Sequence, residues 1–399
     1  MAADQNVMAV ISHDIIISDL EIQNATATGI AFYGPGYWIY DNEVFNTVIH
    51  HCWLGAVYVG YNDLANPPHD VYIHDNIFYR NSQSNALPPH TAWAIASGSG
   101  NAYNVTLENN EVYENFGEGI GFFISNRCHA IGNTVYDNFS VNIYLDNATN
   151  CSVISNKVFT TLNSEFYNNG FPASGVSIAS EDYGVTLRAS SDNMICNNVF
   201  FQNRAAFYYA DYQVGGGLKN SAFINNTIYG AENTALILEL SGSSFHENSV
   251  IANNIFMKGS ATGLTYIIEP STGLTFERNL WFGGTPQVSA QGPGDINDQD
   301  PLLTDPDGAD NILGTDDDNF QLLDGSPAID AGSNLVLPLD APDLDGDSDT
   351  TERLPWDYNS LPRFIDDPTV PDTGVPDPPL YVDVVDLGAF ERSLLVPVV

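Results

Sequence analysis

Asn110-Glu111-Val112-Tyr113, Asn133-Thr134-Val135-Tyr136 and Asn156-Lys157-Val158-Phe159 state one phrase three times at 23-residue intervals. The phrase is an asparagine, a variable residue, a β-branched or aromatic residue, and then usually an aromatic ring. Searching outward, it returns as Asn42-Glu43-Val44-Phe45, Asn76-Ile77-Phe78-Tyr79 and Asn198-Val199-Phe200-Phe201. It continues as Asn226-Thr227-Ile228-Tyr229, Asn254-Ile255-Phe256-Met257 and Asn279-Leu280-Trp281-Phe282, with Asp19-Leu20-Glu21-Ile22 a weaker first copy. Start-to-start spacings run 23, 34, 34, 23, 23, 42, 28, 28 and 25.

A floor of 23 residues accommodates three short strands and three bends, one turn of a parallel β-helix. Period-two alternation places Val44, Phe78, Val112, Val135, Val158, Phe200 and Ile228 in one inward column. Between the asparagines a second phrase recurs, a small residue opening an apolar strand: Gly29-Ile30, Gly119-Ile120, Asn142-Ile143, Gly175-Val176, Ala235-Leu236 and Gly263-Leu264. Coils stack about 4.8 Å apart, so the repeated asparagines are expected to form an amide ladder along a bend. Asn81, Asn115, Asn138 and Asn203 are expected to form a second. Leucine-rich repeats would show a leucine frame with helices, and a β-sandwich would not repeat one phrase ten times. The chain therefore reads as all-β: a right-handed parallel β-helix solenoid of about ten coils over residues 1–290. An irregular Asp/Pro-rich region, 291–399, is expected to pack on it without a core of its own.

The 399 residues carry 11 lysine plus arginine against 50 aspartate plus glutamate, a net charge of −39. That field repels phosphate, which argues against nucleic acid and anionic membrane surfaces as partners. Apolar residues make up 43%, too many for a disordered acidic chain. No stretch is long and apolar enough to insert in a membrane. Met1-Ala2-Ala3-Asp4 does not open a signal peptide. Strand-like sequence starts almost at once, so a trimmed start and an extracellular or cell-surface protein are expected. The four cysteines lack metal-ligand spacing. Cys128 and Cys151 lie one 23-residue coil apart, which fits stacked buried thiols or a disulfide.

Spacing beyond 23 residues measures loops standing off the stack. These fall after the asparagine phrase at 45–55, 80–93 and 160–174, and after the second phrase at 60–68, 180–191 and 211–218. They carry Tyr61, Asn62, Asp63, His69, His90, Trp93, Glu165, Tyr167, Asn168, Glu181, Asp182, Tyr183, Asp211 and Tyr212. Hydroxyl-binding polar groups beside flat rings are what a sugar site requires. Tyr144, Ser177 and Tyr208 should share one outward column, with Asp146, Glu181, Asp182 and Asp211 just beyond. Paired carboxylates hydrolyse glycosidic bonds, one protonating the leaving oxygen and the other acting as base or nucleophile. The expected site thus has Asp146, Glu181, Asp182 and Asp211 as candidate catalytic groups. Tyr144, Tyr208, Tyr183, Trp93 and His90 are the candidate substrate contacts.

On these repeats the chain resembles the right-handed parallel β-helix proteins of the pectate-lyase-like superfamily, over roughly residues 7–290. That fold carries lyases, hydrolases, epimerases, adhesins and ice binders. Neither the paired-aspartate and Gly-His-Gly motifs of polygalacturonases nor the arginine-centred signature of pectate lyases is found. Lys157, Lys219 and Lys258 are the only lysines, and none lies one coil from an arginine as the alginate-lyase type requires. Hydrolase therefore ranks above lyase. Asp300-Pro301-Leu302-Leu303, Gly325-Ser326-Pro327-Ala328-Ile329-Asp330-Ala331-Gly332 and Val385-Asp386-Leu387-Gly388-Ala389-Phe390-Glu391 resemble the closing segment of secreted bacterial solenoids. Asp345, Asp347 and Asp349 alternate like calcium ligands, yet Thr350 and Trp356 stand where an EF-hand needs glycine and glutamate. The expectation is an extracellular polysaccharide-degrading protein with calcium as cofactor and a glycan as partner. The alternative is a non-catalytic glycan-binding or adhesion module. A flat threonine-rich ice-binding face is missing.

Overall fold

In a computed structural model of the protein, residues 5–34, 36–60, 66–182, 189–212, 215–260 and 262–392 are described. Three parallel sheets run the length of a solenoid: sheets A and B with ten strands each and sheet C with eleven. From Met8 to Phe282 every third strand joins the same sheet, so each coil contributes one strand to A, one to B and one to C, and Ile296–Asn297 adds the eleventh strand of C. With the crossover hand that parallel strands adopt, this is a right-handed parallel β-helix.

Most B-to-C bends are made by one residue in the left-handed region followed by the ladder asparagine. Asp75, Asn109, Gly132, Ser155, Asn197, Asn225 and Asn253 hold this position, at φ between 52° and 63°. Aspartate, asparagine and glycine tolerate that conformation best, which is why they crowd the position. The next asparagine then bridges coils. The Asn110 backbone amide and its Nδ2 both donate to Asn133 Oδ1, at 2.9 and 3.0 Å, and Nδ2 also donates to the Ile73 carbonyl. The pattern repeats through Asn133, Asn156, Asn198, Asn226, Asn254 and Asn279. Asp295 ends it, accepting from the Asn279 amide at 2.9 Å and from Trp281 Nε1 at 3.0 Å.

The inward column holds. Phe78, Val112, Val135, Val158, Phe200 and Ile228 are fully buried in one continuous core. Val44 is a correction. Asn42–Phe45 lies in sheet B, with Val44 opposite Ile73, while Val48–His50 supplies the sheet C strand and Ile49 faces Phe78. Thr47 occupies the ladder position of that coil and donates its amide to Asn76 Oδ1. The expected loop at 45–55 is therefore mostly strand and corner. The phrase misled because an Asn followed by alternating apolar residues suits any strand after a tight bend. The last copy of the second phrase also slips by one, since Thr265 rather than Leu264 pairs with Leu236.

The second ladder runs Asn81, Asn115, Asn138 and then Asn142. Asn203 does not join it; both its side-chain polar atoms are buried without a hydrogen-bond partner. The 160–174 excursion interrupts the stacking there. Cys128 and Cys151 are free, buried and stacked, with the Cys128 amide 3.4 Å from Cys151 Sγ.

Residues 296–392 lie against the outer faces of sheets C and B. Phe320 stacks on Phe201 at the end of the ring column formed by Tyr79, Tyr113, Tyr136 and Phe159. Leu354 packs with Ile154, Met194 and Cys196, and Leu337 and Val385 with Ile224. The apolar patch on the outer face of sheet A comprises Val141, Tyr144, Ala179 and Ala210 with Phe123 and Tyr208, and includes no C-terminal residue. Among the described residues, sheet A is the face whose apolar patch the wrap does not join.

Candidate active-site groove on sheet A

The strands Val141–Asp146, Ser174–Ser180 and Phe207–Asp211 pair in register, placing Tyr144 beside Ser177 and Ser177 beside Tyr208. All three point outward because their neighbours Ile143, Leu145, Val176 and Ile178 fill the core. One and two coils earlier the same column holds Gly121 and Gly98, and the Ile95 side chain packs onto the face of Gly121. Over this floor is a groove of about 830 Å³. Trp93 walls it from the 80–96 loop and Asn168 and Asn169 from the 160–174 loop, while Asn101, Ile124, Glu181 and Tyr212 line the opposite bend. Of the six insertions expected from spacing, those at 80–93, 160–174, 180–191 and 211–218 contribute lining residues, and those at 45–55 and 60–68 contribute none among the described residues.

Among the described residues, two carboxyl groups line the groove, those of Glu118 and Glu181. Glu118 is 7% exposed, and burial, with the charge of Glu181 adding to it, pushes its carboxyl up to about 7. Glu181 accepts a hydrogen bond from Tyr144 Oη, and its backbone amide donates to Asn147 Oδ1 at 2.9 Å. Burial and the charges of Asp146, Glu181 and Glu118 raise the Tyr144 hydroxyl far above its ordinary value, so it stays a donor. Arg204 lies with its guanidinium over the Phe171 and Tyr208 rings, at 5.1 and 5.4 Å. A carboxyl raised toward neutrality, an anchored carboxylate, the exposed rings of Trp93 and Tyr212 and the Arg204 guanidinium line one groove.

Of the residues expected from sequence, Tyr144, Tyr208, Trp93 and Glu181 line this groove. Asp146 lies in the outward column but is fully buried beneath it. Asp211 is buried and turned to the Ser241 amide and hydroxyl, at 2.7 and 3.0 Å. Asp182 is exposed and outside the lining. His90 is a wall support: its Nδ1 bonds the Asn85 carbonyl at 2.7 Å and its ring leans on Phe139, which also backs Trp93. Tyr183, like Tyr61, Asn62 and Asp63, lies outside the described residues.

Sequence reasoning missed Glu118. Its signal is positional. Extending the sheet A register by two residues aligns Gly55, Ile95, Glu118, Val141, Ser174 and Ala205 at the same corner. Glu118 is the one charged residue in that series.

In the C-terminal region Asp345 and Asp347 do converge, but with Glu352 rather than Asp349. Asp349 is spent on its own turn, accepting from the Thr351 amide and hydroxyl at 2.9 and 2.6 Å. Asp340 and Asp343 approach Asp345 from the other side.

Coil repeat, sheet order and groove together define a right-handed parallel β-helix repeat protein. Within it, residues 95–216, the coils that floor the groove, match the family model described as periplasmic copper-binding protein (NosD). Among solved structures the chain is similar to XylC in its complex with xylose, at 13% identity and a TM-score of 0.51. That match covers 95% of this chain and 65% of XylC, so the chain spans just under two thirds of it. It is also similar to the pectate lyase Pel9A, at 15% identity and a TM-score of 0.46 over 94% of this chain and 70% of that one. PfbA, a surface adhesin of Streptococcus pneumoniae, matches at 11% identity and a TM-score of 0.47, over 73% and 71%. No curated protein matches the sequence.

Proposed function

We propose that the protein is a carbohydrate-active β-helix that binds a glycan chain in the sheet A groove and hydrolyses it with Glu118 and Glu181. The observation that carries this reading is a buried carboxyl, protonated up to about pH 7, lining the same groove as a second carboxylate anchored by a tyrosine. Pushing two carboxyls apart in proton affinity is how one site supplies both an acid and a base. Glu118 gives its proton to the glycosidic oxygen as the bond to the anomeric carbon breaks. Glu181 takes a proton from water as that water adds to the anomeric carbon, or attacks the carbon itself before water releases it. Trp93 and Tyr208 offer rings for sugar faces.

Neutral glycans fit better than polyuronates. Among the described residues, Arg204 is the one cationic side chain lining the groove, beside two carboxyl groups. Lys157 is paired with Asp318 at 3.1 Å under the C-terminal region, and Lys219 points to the Phe245 ring and carbonyl. Neither is placed to serve as the lysine base of a lyase. The word "periplasmic" in the description of the matched family model agrees with an exported protein. Copper does not fit the residues present. Within 95–216 the thiols of Cys128, Cys151 and Cys196 are buried, and the half-buried His129, lowered to about 4 by desolvation, is bonded to Ser152.

Sugar release from a polysaccharide panel tests the reading, using wild type, Glu118→Gln and Glu181→Gln. Loss of turnover by about 100-fold or more in both, with glycan binding retained, is the expected result. A wild type that binds but never cleaves would leave a binding module, and unimpaired variants would exclude the pair.

A further inference from the structure

We propose that Asp330, Asp366 and Asp372 form a calcium site that closes the C-terminal wrap, separate from the groove and from the Asp340–Glu352 cluster. Asp330 is fully buried, and neither oxygen of its carboxylate has a hydrogen-bond partner of good geometry. The one donor that approaches it is the Asp367 backbone amide. Its own backbone is fully engaged: the amide donates to Asp386 Oδ1 at 2.7 Å, and the carbonyl accepts from the Thr373 and Gly374 amides at 2.9 and 3.0 Å. The side chain is therefore held in place with its acceptors left without a well-formed hydrogen bond. Leaving a buried carboxylate so poorly satisfied costs several kcal/mol unless a proton or a cation joins it.

The cation is favoured by what the carboxylate faces. One oxygen each of Asp330, Asp366 and Asp372 lies within 4.8 Å of the others. That is the spacing of oxygens across a calcium ion bound at about 2.4 Å. The set is all oxygen, which suits a hard cation and excludes a preference for zinc or copper. Asp366 and Asp372 are exposed, leaving room for the waters that complete six to eight ligands. Neighbouring arginines are already engaged. Arg278 Nη1 donates to the Ala331 and Thr373 carbonyls, and Arg392 serves Leu322, Asp324 and, at 3.8 Å, Asp367. Asp367 and Asp383 add further negative charge around the triad.

The site would join the turn at Asp330 to the proline-rich segment 366–380. Two residues beyond that turn, Gly332 exchanges backbone hydrogen bonds with Val375 and Val385, and Ser333 donates to Asn253 Oδ1 on the solenoid. Calcium here would clamp the wrap onto the coils.

Full-length protein freed of calcium with EGTA and then titrated with calcium chloride provides the test, comparing wild type with Asp366→Asn/Asp372→Asn. Both replaced residues are exposed, so folding is spared. The double variant should bind one calcium fewer by calorimetry. It should also lose the calcium-dependent protection of 366–380 from proteolysis. Asp345→Asn/Asp347→Asn, which alters the other cluster, should keep that protection. Equal stoichiometry and equal protection in wild type and Asp366→Asn/Asp372→Asn would overturn the site, as would a wild type that binds no calcium and leaves Asp330 a neutral acid.

Discussion

Glu118 links fold and chemistry at the scale of one side chain. Its carboxyl is raised from 4.5 to about 7, mainly by burial. The folded state therefore holds a proton that the unfolded chain releases, so this residue lowers stability as pH climbs from about 4.5 through 7. At 1.36 kcal/mol per unit the full effect at pH 8 is about 3 kcal/mol. Glu118→Gln should melt higher than wild type at pH 8 and match it near pH 4, while its turnover is lost. Equal melting at both values would show that the carboxyl titrates normally. In wild type, kcat/KM should fall above pH 7 as the acid ionises.

Among elements, the asparagine ladder is the part of the solenoid whose loss is most readily measured. Asn133 accepts from the Asn110 amide and side chain, and its own Nδ2 donates to the Leu107 carbonyl and Asn156 Oδ1. Asn133→Ala leaves buried donors and acceptors unmatched and should cost about 2–3 kcal/mol in urea unfolding. Asn203→Ala is the control. Its amide is buried without partners, so removal should cost less than about 1 kcal/mol. Equal losses at the two positions would mean that size and burial, rather than the ladder, set the effect.

At the scale of the whole molecule, the C-terminal region is a wrap anchored by one buried cation. Arg363 is fully buried, donates to Glu391 Oε1 at 2.6 Å and bonds the Asn197 side chain on the solenoid. Arg363→Ala leaves Glu391 buried without its countercharge and should cost about 3–5 kcal/mol. Detachment of the wrap before the coils unfold, seen as early proteolysis beyond residue 296, is the expected signature. Residues 296–399 expressed alone should show no cooperative melt, since their apolar clusters are completed by coil residues. The wrap also carries an acid-favoured charge balance. Burial raises Asp330 and Asp386 to about 7 and Asp340 to about 6. Stability without divalent cations should therefore decline as pH rises from about 4 through 7, and calcium should restore it at the upper end.

The repeat was legible in sequence because every coil must present the same inward column and bend, so Val112, Val135 and Val158 had to recur in step. The outward Tyr144–Ser177–Tyr208 column followed from the same alternation, and the wall loops from excess length. Register near residue 44 was not legible, because Asn42-Glu43-Val44-Phe45 satisfies sheet B as well as sheet C and only the neighbouring coil selects between them. Asp349 looked equivalent to Asp345 and Asp347 until the turn at Thr351 claimed its carboxylate. Glu118 gave no local sign of its role. Its proton affinity comes from burial and from the charge of Glu181, and that environment exists only once the coils have stacked.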